Sequence, residues 1–319
     1  MLSRVADSLY WMSRYLERAE HTARLITVNL NLTLDLSHAS VDQGWARATT
    51  SLGMMLPTPG DATSLAQMLV FDPSPGSSSI IACIMTAREN ARQVREQISS
   101  EMWEQLNRLF HEVKRASVDD LMTTDPIEFL HEVVEGMHLF HGITDSTMAH
   151  GEAWRFIQAG RYVERAVDIA TLLRAHFHEF HVAGDGSIDP RDHLHWIALL
   201  KSCTAFEAYC KVYTADPKAN HIAEFLLLNS EFPHSVRYSV DRLHNGLEAL
   251  PDMGWTKKSS RLTRLSGRLK AALSFSQIEE IMHGGMREYL DNIKVQCGQI
   301  HSALYQVYVH YPIESAVEA

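Results

Sequence analysis

Arg14-Tyr15-Leu16-Glu17-Arg18-Ala19, near the start of the chain, returns near its middle as Arg161-Tyr162-Val163-Glu164-Arg165-Ala166, with one exchange of Leu for Val. The likeness extends on both sides at one constant offset. Leu2, Val5, Leu9, Met12, Leu16, Ala19, Ala23, Ile26 and Leu30 correspond to Ala149, Glu152, Phe156, Ala159, Val163, Ala166, Ala170, Leu173 and Phe177, and only Glu152 breaks the apolar pattern. Alternating steps of three and four place these residues on one face of a long helix, the seam of a bundle. The repeated charges lie off that seam. Trp11, Tyr15, Arg18, Thr22 and Leu25 form a second stripe, as do Tyr162, Arg165, Ile169 and Leu172 on the copy. A helix apolar on more than one face belongs inside an assembly of helices. Arg18 and Arg165 are therefore expected to be largely buried, each bonded to a carboxylate of another helix, because an unpaired buried charge is very unfavourable. Glu17 and Glu164 are the candidate partners, reaching Arg14 and Arg161 along their own helices at a spacing of three, or crossing to a facing helix.

The rest of the chain also reads as helix, so the expected fold is all-α: a single domain over residues 1–319, a bundle of long helices with an approximate internal duplication near residues 2–30 and 149–177. A second helix is expected from about Val41 to Met55. A Pro/Gly/Ser-rich loop follows over 56–79, with a short helix around Leu65 to Leu69. One long helix is expected from Ile80 to Ala116. Asp125-Pro126-Ile127-Glu128 is a start signal, with a capping Asp, Pro at the first helical position and Glu at the third. The same logic opens helices at Asp189-Pro190 and Asp216-Pro217. Gly184-Asp185-Gly186-Ser187 and the stretch from Pro251 to Ser259 read as separators. A third, degenerate copy of the motif is read at Gly267-Arg268-Leu269, where Ala271 replaces the Glu. Runs with strand periodicity are absent.

Composition sets outer bounds. The 319 residues are 45% hydrophobic and 21% charged, ordinary for a globular chain with ample core. A formal charge of −10 argues against a general nucleic-acid or anionic-membrane binder. No stretch approaches the roughly 20 apolar residues that span a bilayer. Met1 to Asp7 is amphipathic and lacks the apolar core of a signal peptide, so a cytoplasmic location is expected. Cys83, Cys203, Cys210 and Cys297 show no paired short spacing and read as buried free thiols.

The opening Met1-Leu2-Ser3-Arg4-Val5-Ala6-Asp7-Ser8-Leu9-Tyr10-Trp11-Met12, followed by Arg14 to Glu20, resembles the bacterial alpha-E family, named for an all-helical domain with a Glu-Arg motif. So do Trp154 to Arg165, Ala87 to Arg92 with Trp103 to Asn107, and Glu231-Phe232-Pro233; His234 stands where a basic Arg is more usual. The resemblance covers essentially the whole chain. It implies genomic neighbours that are circularly permuted ATP-grasp proteins, transglutaminase-like proteins and sometimes a proteasome-like hydrolase. That neighbourhood implies a part in making or processing an amide-linked peptide, as an accessory or co-catalytic partner of an ATP-grasp-type ligase. The resemblance carries no settled catalytic residues.

Arg88, Arg92 and Arg95 share a face of the expected long helix, with Glu89 and Glu96 a heptad apart. With Arg14, Arg18, Arg161 and Arg165 they could line a basic interior pocket for a carboxylate or phosphate, since guanidinium suits bidentate recognition; the alternative is interhelical ion pairs that fix register. The tentative ligand-binding set is thus Arg14, Glu17, Arg18, Arg88, Glu89, Arg92, Arg161, Glu164 and Arg165. Among 18 histidines, Glu128-x-x-His131, Glu135-x-x-His138 and Glu280-x-x-His283 have the spacing of di-iron carboxylate bundles, for which Glu17 and Glu164 would supply further ligands. Such motifs arise readily by chance, and Gly284-Gly285 abuts His283. No cofactor and no stoichiometric metal is expected. No nucleophile elbow, phosphate loop or zinc signature is present. The expected function is therefore a ligase partner binding a peptide or carboxylate, with a stand-alone enzyme using a carboxylate/histidine site, or a pure interaction scaffold, as alternatives.

Overall fold

The computed structural model describes residues 2–33, 37–54, 62–74, 76–116, 126–180, 182, 186–214, 216–250 and 257–309. These residues form helices without strands, confirming the all-α class. In chain order the helices are α1 (Ser3–Leu32), α2 (His38–Ser51), α3 (Ala62–Phe71), α4 (Ile80–Gln93), α5 (Ser100–Arg115), α6 (Pro126–Thr147) and α7 (Glu152–Glu179). There follow α8 (His193–Ser202), α9 (Phe206–Val212), α10 (Ala219–Leu228), α11 (Val236–Glu248), α12 (Lys257–Phe275), α13 (Ile278–Gly284) and α14 (Met286–Tyr308).

The two motif copies lie side by side on α1 and α7. Their bridging residues are 144 to 150 positions apart, bracketing the offset of 147 that carries Arg14 onto Arg161. From Tyr10 against Gly160, through Glu17 with Arg165, to Asn29 and His176 lining one cavity, the difference in number stays near that offset while the sum climbs, so the two helices run parallel and in register. The contact is close: a Cβ added at Gly160 would sit 2.2 Å from the Tyr10 carbonyl oxygen and 3.3 Å from Cβ of Ser13, the residue equivalent to Gly160 in the first copy. A small residue on each helix lets the backbones meet.

The helices around this pair repeat their arrangement. α1 packs on α4, α4 on α5, α5 on α6, and α6 returns to α1; α7 packs on α11, α11 on α12, α12 on α14, and α14 returns to α7. The entries to α4 and α11 also match. Ser79 caps α4 by accepting from the Ala82 N–H while donating to the Asp72 carbonyl, and Ser235 caps α11 by accepting from the Tyr238 N–H while donating to the Asn229 carbonyl. The apolar seam residues Leu9, Met12, Leu16, Ala19, Ala23 and Ile26 are fully enclosed. At roughly 1.5–3 kcal/mol for each fully buried large aliphatic side chain, this seam is a main source of stability.

Several expected elements differ. The long helix over 80–116 is broken: α4 ends at Gln93, Arg95–Gln97 form a 3-10 turn, and Ser99 caps α5 by accepting from the Met102 N–H. A serine side chain offers the backbone an alternative to continued helix, and the break lets α5 fold back on α4. The motif at Gly267 does not join the central pair. Arg268 is exposed on α12, which packs on α11 and α14. At Asp216-Pro217 the helix begins later, at Ala219, with Lys218 at the cap. Asp189 does cap, but what it opens is a 3-10 turn over Pro190–Asp192 ahead of α8. Asp125, residues 56–61 and 75 of the expected loop, part of the 184–187 separator and most of the 251–259 separator lie outside the described residues.

Gly160→Ala is expected to lower the urea midpoint by about 1–3 kcal/mol of stability, because overpacking against a backbone carbonyl outweighs the roughly 1 kcal/mol of helix propensity gained. Gly298→Ala on α14 is the control. Its added methyl meets nothing within 4 Å, so the same titration should show about 0.5–1 kcal/mol of stabilisation.

Candidate functional site

The Glu-Arg residues exchange partners across the helix pair. Glu17 of the first copy accepts from Nε and Nη2 of Arg165, the latter at 2.8 Å, and stands 3.5 Å from Nε of Arg161. Glu164 of the second copy accepts from Nε of Arg14 and, at 2.7 Å, from Nε of Arg18. Neither glutamate uses an arginine of its own helix; each carboxylate sits between two guanidiniums of the other copy. Arg165 is fully buried and its Nη1 also donates to the Pro233 carbonyl, whereas Arg18 leaves 22% of its side chain exposed. Aromatic rings back the outer guanidiniums: Arg14 lies 4.5 Å from the Trp11 ring centroid and Arg18 lies 5.4 Å from that of Tyr15.

Burial works against ionisation of Glu164, but Arg14 and Arg18 outweigh it and hold the carboxyl below its usual range. Burial likewise works against protonation of Arg165, and Glu17 reverses the balance. Below this layer lies a cavity of about 10 Å³, at the lower limit for one water. His21 and Asp168, which occupy equivalent positions in the two copies, both line it. Among the described residues Nε2 of His21 and Oδ2 of Asp168 have no hydrogen-bond partner. Burial pushes His21 down to about 4, and burial, then Glu164, raises Asp168 well above the usual range. His21 is therefore neutral near pH 7, and ionisation of Asp168 is strongly disfavoured. His234, where the resemblance led to an expectation of Arg, is also enclosed and held neutral by burial and then by Arg165.

Beside the network, Glu20 takes both Nε and Nη2 of Arg24 on Oε1, leaving Oε2 without a hydrogen bond and 3.6 Å from Nε2 of His141. Burial drives His141 down to about 4. Donor atoms of Glu17, Glu20 and His141 fall within 4.8 Å of one another, spacing that suits a metal ion. The charges do not suit one: Arg24, Arg161 and Arg165 already surround these two carboxylates, and a dication would add to that excess. The three Glu-x-x-His motifs assemble no ligand set. Glu128, His131, Glu135, Glu280 and His283 face solvent, and only His138 approaches Glu20.

The remaining arginines of the expected set lie elsewhere. Arg88 donates to Oδ1 of Asn107 and lies against Trp103 and Phe110, while Arg92 pairs with Glu89 on its own helix with 60% of its side chain exposed. The structure thus unites Arg14, Glu17, Arg18, Arg161, Glu164 and Arg165 and leaves Arg88, Glu89 and Arg92 on a separate face. The break after Gln93 also takes Arg95 off that helical face. All four cysteines are free thiols; Cys83, Cys203 and Cys297 are buried and thereby pushed up to about 12, whereas Cys210, expected to be buried, is half-buried.

Sequence reasoning missed Arg47, Arg174 and Lys294, which come from α2, α7 and α14 to line an open cleft of about 360 Å³. No motif marks them, since their proximity exists only after folding. A larger open groove of about 650 Å³ lies at the start of α1 and α7, but the charged residues lining it are Glu96 and Glu152.

The chain belongs to the Alpha-E family, described as a predicted alpha-helical domain with a conserved ER motif, which matches residues 1–309. Glu17-Arg18 and Glu164-Arg165 are the dipeptides of that kind at the centre of the fold. Among curated proteins it is similar to uncharacterized proteins of Mycobacterium bovis (strain ATCC BAA-935 / AF2122/97) and Mycobacterium tuberculosis (strain CDC 1551 / Oshkosh). Each is 24% identical over 333 residues, covering 95% of this chain and 36% of the relative. The chain spans about a third of the length of these relatives. No solved structure matches it.

Arg165→Ala is expected to cost about 3–5 kcal/mol in denaturant unfolding, the range for stripping one partner from a buried pair. Arg18→Ala should cost less, because Glu164 keeps Arg14 and the site is partly solvated. Stability should also fall on acidification from about pH 6.5 towards 4. His21 and His141 have folded-state values depressed to about 4, so the unfolded chain binds more protons across that window, a loss on the order of 3 kcal/mol per histidine. Urea midpoints measured from pH 7 to 4 should flatten in His21→Asn; an unchanged slope would assign the acid sensitivity to other groups.

Proposed function

We propose that this chain is an accessory or co-catalytic helical partner of an ATP-grasp-type amide or peptide ligase, and that it holds a peptide or other carboxylate at an arginine-lined site. The observation that carries the reading is the mutual saturation of the motif. Its four arginines and two glutamates are spent on one another across α1 and α7, a structural use of the residues that a self-contained enzyme would place at its chemistry. The relatives support partnership from another side, because in them the matching region is joined to a greater length of further sequence. The family resemblance supplies the ligase. A second reading, a stand-alone enzyme, rests on the enclosed Glu20–His141 contact, whose carboxylate oxygen and imidazole nitrogen have no hydrogen-bond partner among the described residues.

The test is reconstitution with a circularly permuted ATP-grasp protein encoded beside this chain. Co-elution of the two, with ATP turnover that needs both and is absent from this chain alone, is the expected outcome. Separate elution together with ligase turnover indifferent to this chain would overturn the partnership. Turnover of an amide substrate by this chain alone, lost in Glu20→Gln, would promote the enzyme reading.

A further inference from the structure

Arg47 differs from the arginines of the central network. Its side chain is 6% exposed, its Nη2 meets Nδ1 of His195 at 2.8 Å, and its guanidinium lies 4.7 Å from the Phe180 ring centroid. Glu179 approaches Nη1 as an ion pair, yet Nη1 has no aligned hydrogen bond. At Arg14, Arg18 and Arg165 the carboxylates outweigh the effect of burial; at Arg47 burial wins despite Glu179 and Asp192, and its protonation is disfavoured. This buried cation is under-compensated by the chain itself.

Arg47 opens onto the cleft of about 360 Å³ between α2, α7 and α14. Two more cations reach the same space from other helices. Arg174 is 37% exposed and has Asp291 at 2.6 Å, again without an aligned hydrogen bond at Nε; Lys294, on the helix of Asp291, has no ion-pair or hydrogen-bond partner among the described residues. His178, one turn beyond Arg174, and the exposed Thr50, one turn beyond Arg47, add polar groups on the same walls. Three cations and, among the described residues, one carboxylate, Glu179, line a space within the size range of small-molecule sites, with Asp291 acting on Arg174 and Asp192 on Arg47 from beside it.

We propose that this cleft binds a small oxyanion, a carboxylate or a phosphate, held by Arg47, Arg174 and Lys294. Arg47 supplies a fixed, dehydrated guanidinium for charge-assisted hydrogen bonding, and Lys294 supplies a mobile point charge at the mouth. The oxyanion completes the compensation that Glu179 leaves short. This site gives the carboxylate-holding part of the proposed function a location, and it needs no partner protein to be occupied.

Calorimetric titration of the full chain at low ionic strength, with succinate in one arm and inorganic phosphate in the other, tests the proposal. Saturable binding of at least one probe, at one per chain, is expected, and the arm that binds identifies carboxylate or phosphate as the source. The double variant Arg174→Gln/Lys294→Gln should weaken it at least tenfold with an unchanged melting temperature, since both side chains are at the mouth. Arg92→Gln, on another face, should bind like the unaltered chain. Failure of both probes to bind saturably, retention of full affinity in the double variant, or an equal loss in Arg92→Gln would each overturn the site. Because this chain is titrated alone, the outcome is separate from whether the ligase partnership holds.

Discussion

The exchange of carboxylates between α1 and α7 is the constraint on which the rest of the molecule depends. Removing Glu17 and Glu164 from water is costly, and each recovers that cost only if two guanidiniums from the opposite helix arrive together. A slip of one turn along the axis would leave carboxylates facing the wrong residues and arginines facing none. Apolar contacts tolerate such slips more readily, because burial is not directional. We read the network as the device that sets the parallel register of the two helices, with the aliphatic seams supplying most of the stability.

Register at the centre fixes the periphery. Once Gly160 lies against the Tyr10 carbonyl, the seams of α1 and α7 point away from each other, and each must be covered separately. α4, α5 and α6 close one side and α11, α12 and α14 the other. The segments between, carrying α2 and α3 in one half and α8 to α10 in the other, are free to differ. That freedom places Arg47 of α2 against the end of α7. The charged centre and the cationic cleft therefore follow opposite electrostatic rules. In the centre the chain's counter-charges outweigh burial, and in the cleft, at Arg47, burial outweighs them.

The all-α class, the repeat and the pairing of Glu17 and Glu164 with arginines were legible because they follow from periodicity and from the energetics of buried charge, both local or pairwise properties. Which arginine each glutamate would take was open between the same helix and a facing one. The chain's three-residue spacing allowed the first; the parallel in-register docking enforced the second. The helix expected over 80–116 failed for a related reason. Its apolar pattern continues through Val94 and Ile98, but Ser99 can cap a new helix, and packing α5 back on α4 stabilises the break.

By itself, then, the sequence determined that two like helices with aromatic, charged second stripes occupy the interior, since no other placement buries those stripes. Tertiary structure alone decided that Arg88 and Arg92 leave the charged centre, that Glu20 meets His141, and that Arg47, Arg174 and Lys294 share one cleft. Contacts between residues more than a hundred positions apart depend on how helices dock, and docking is set by register, close approach and chain return rather than by spacing along any one helix.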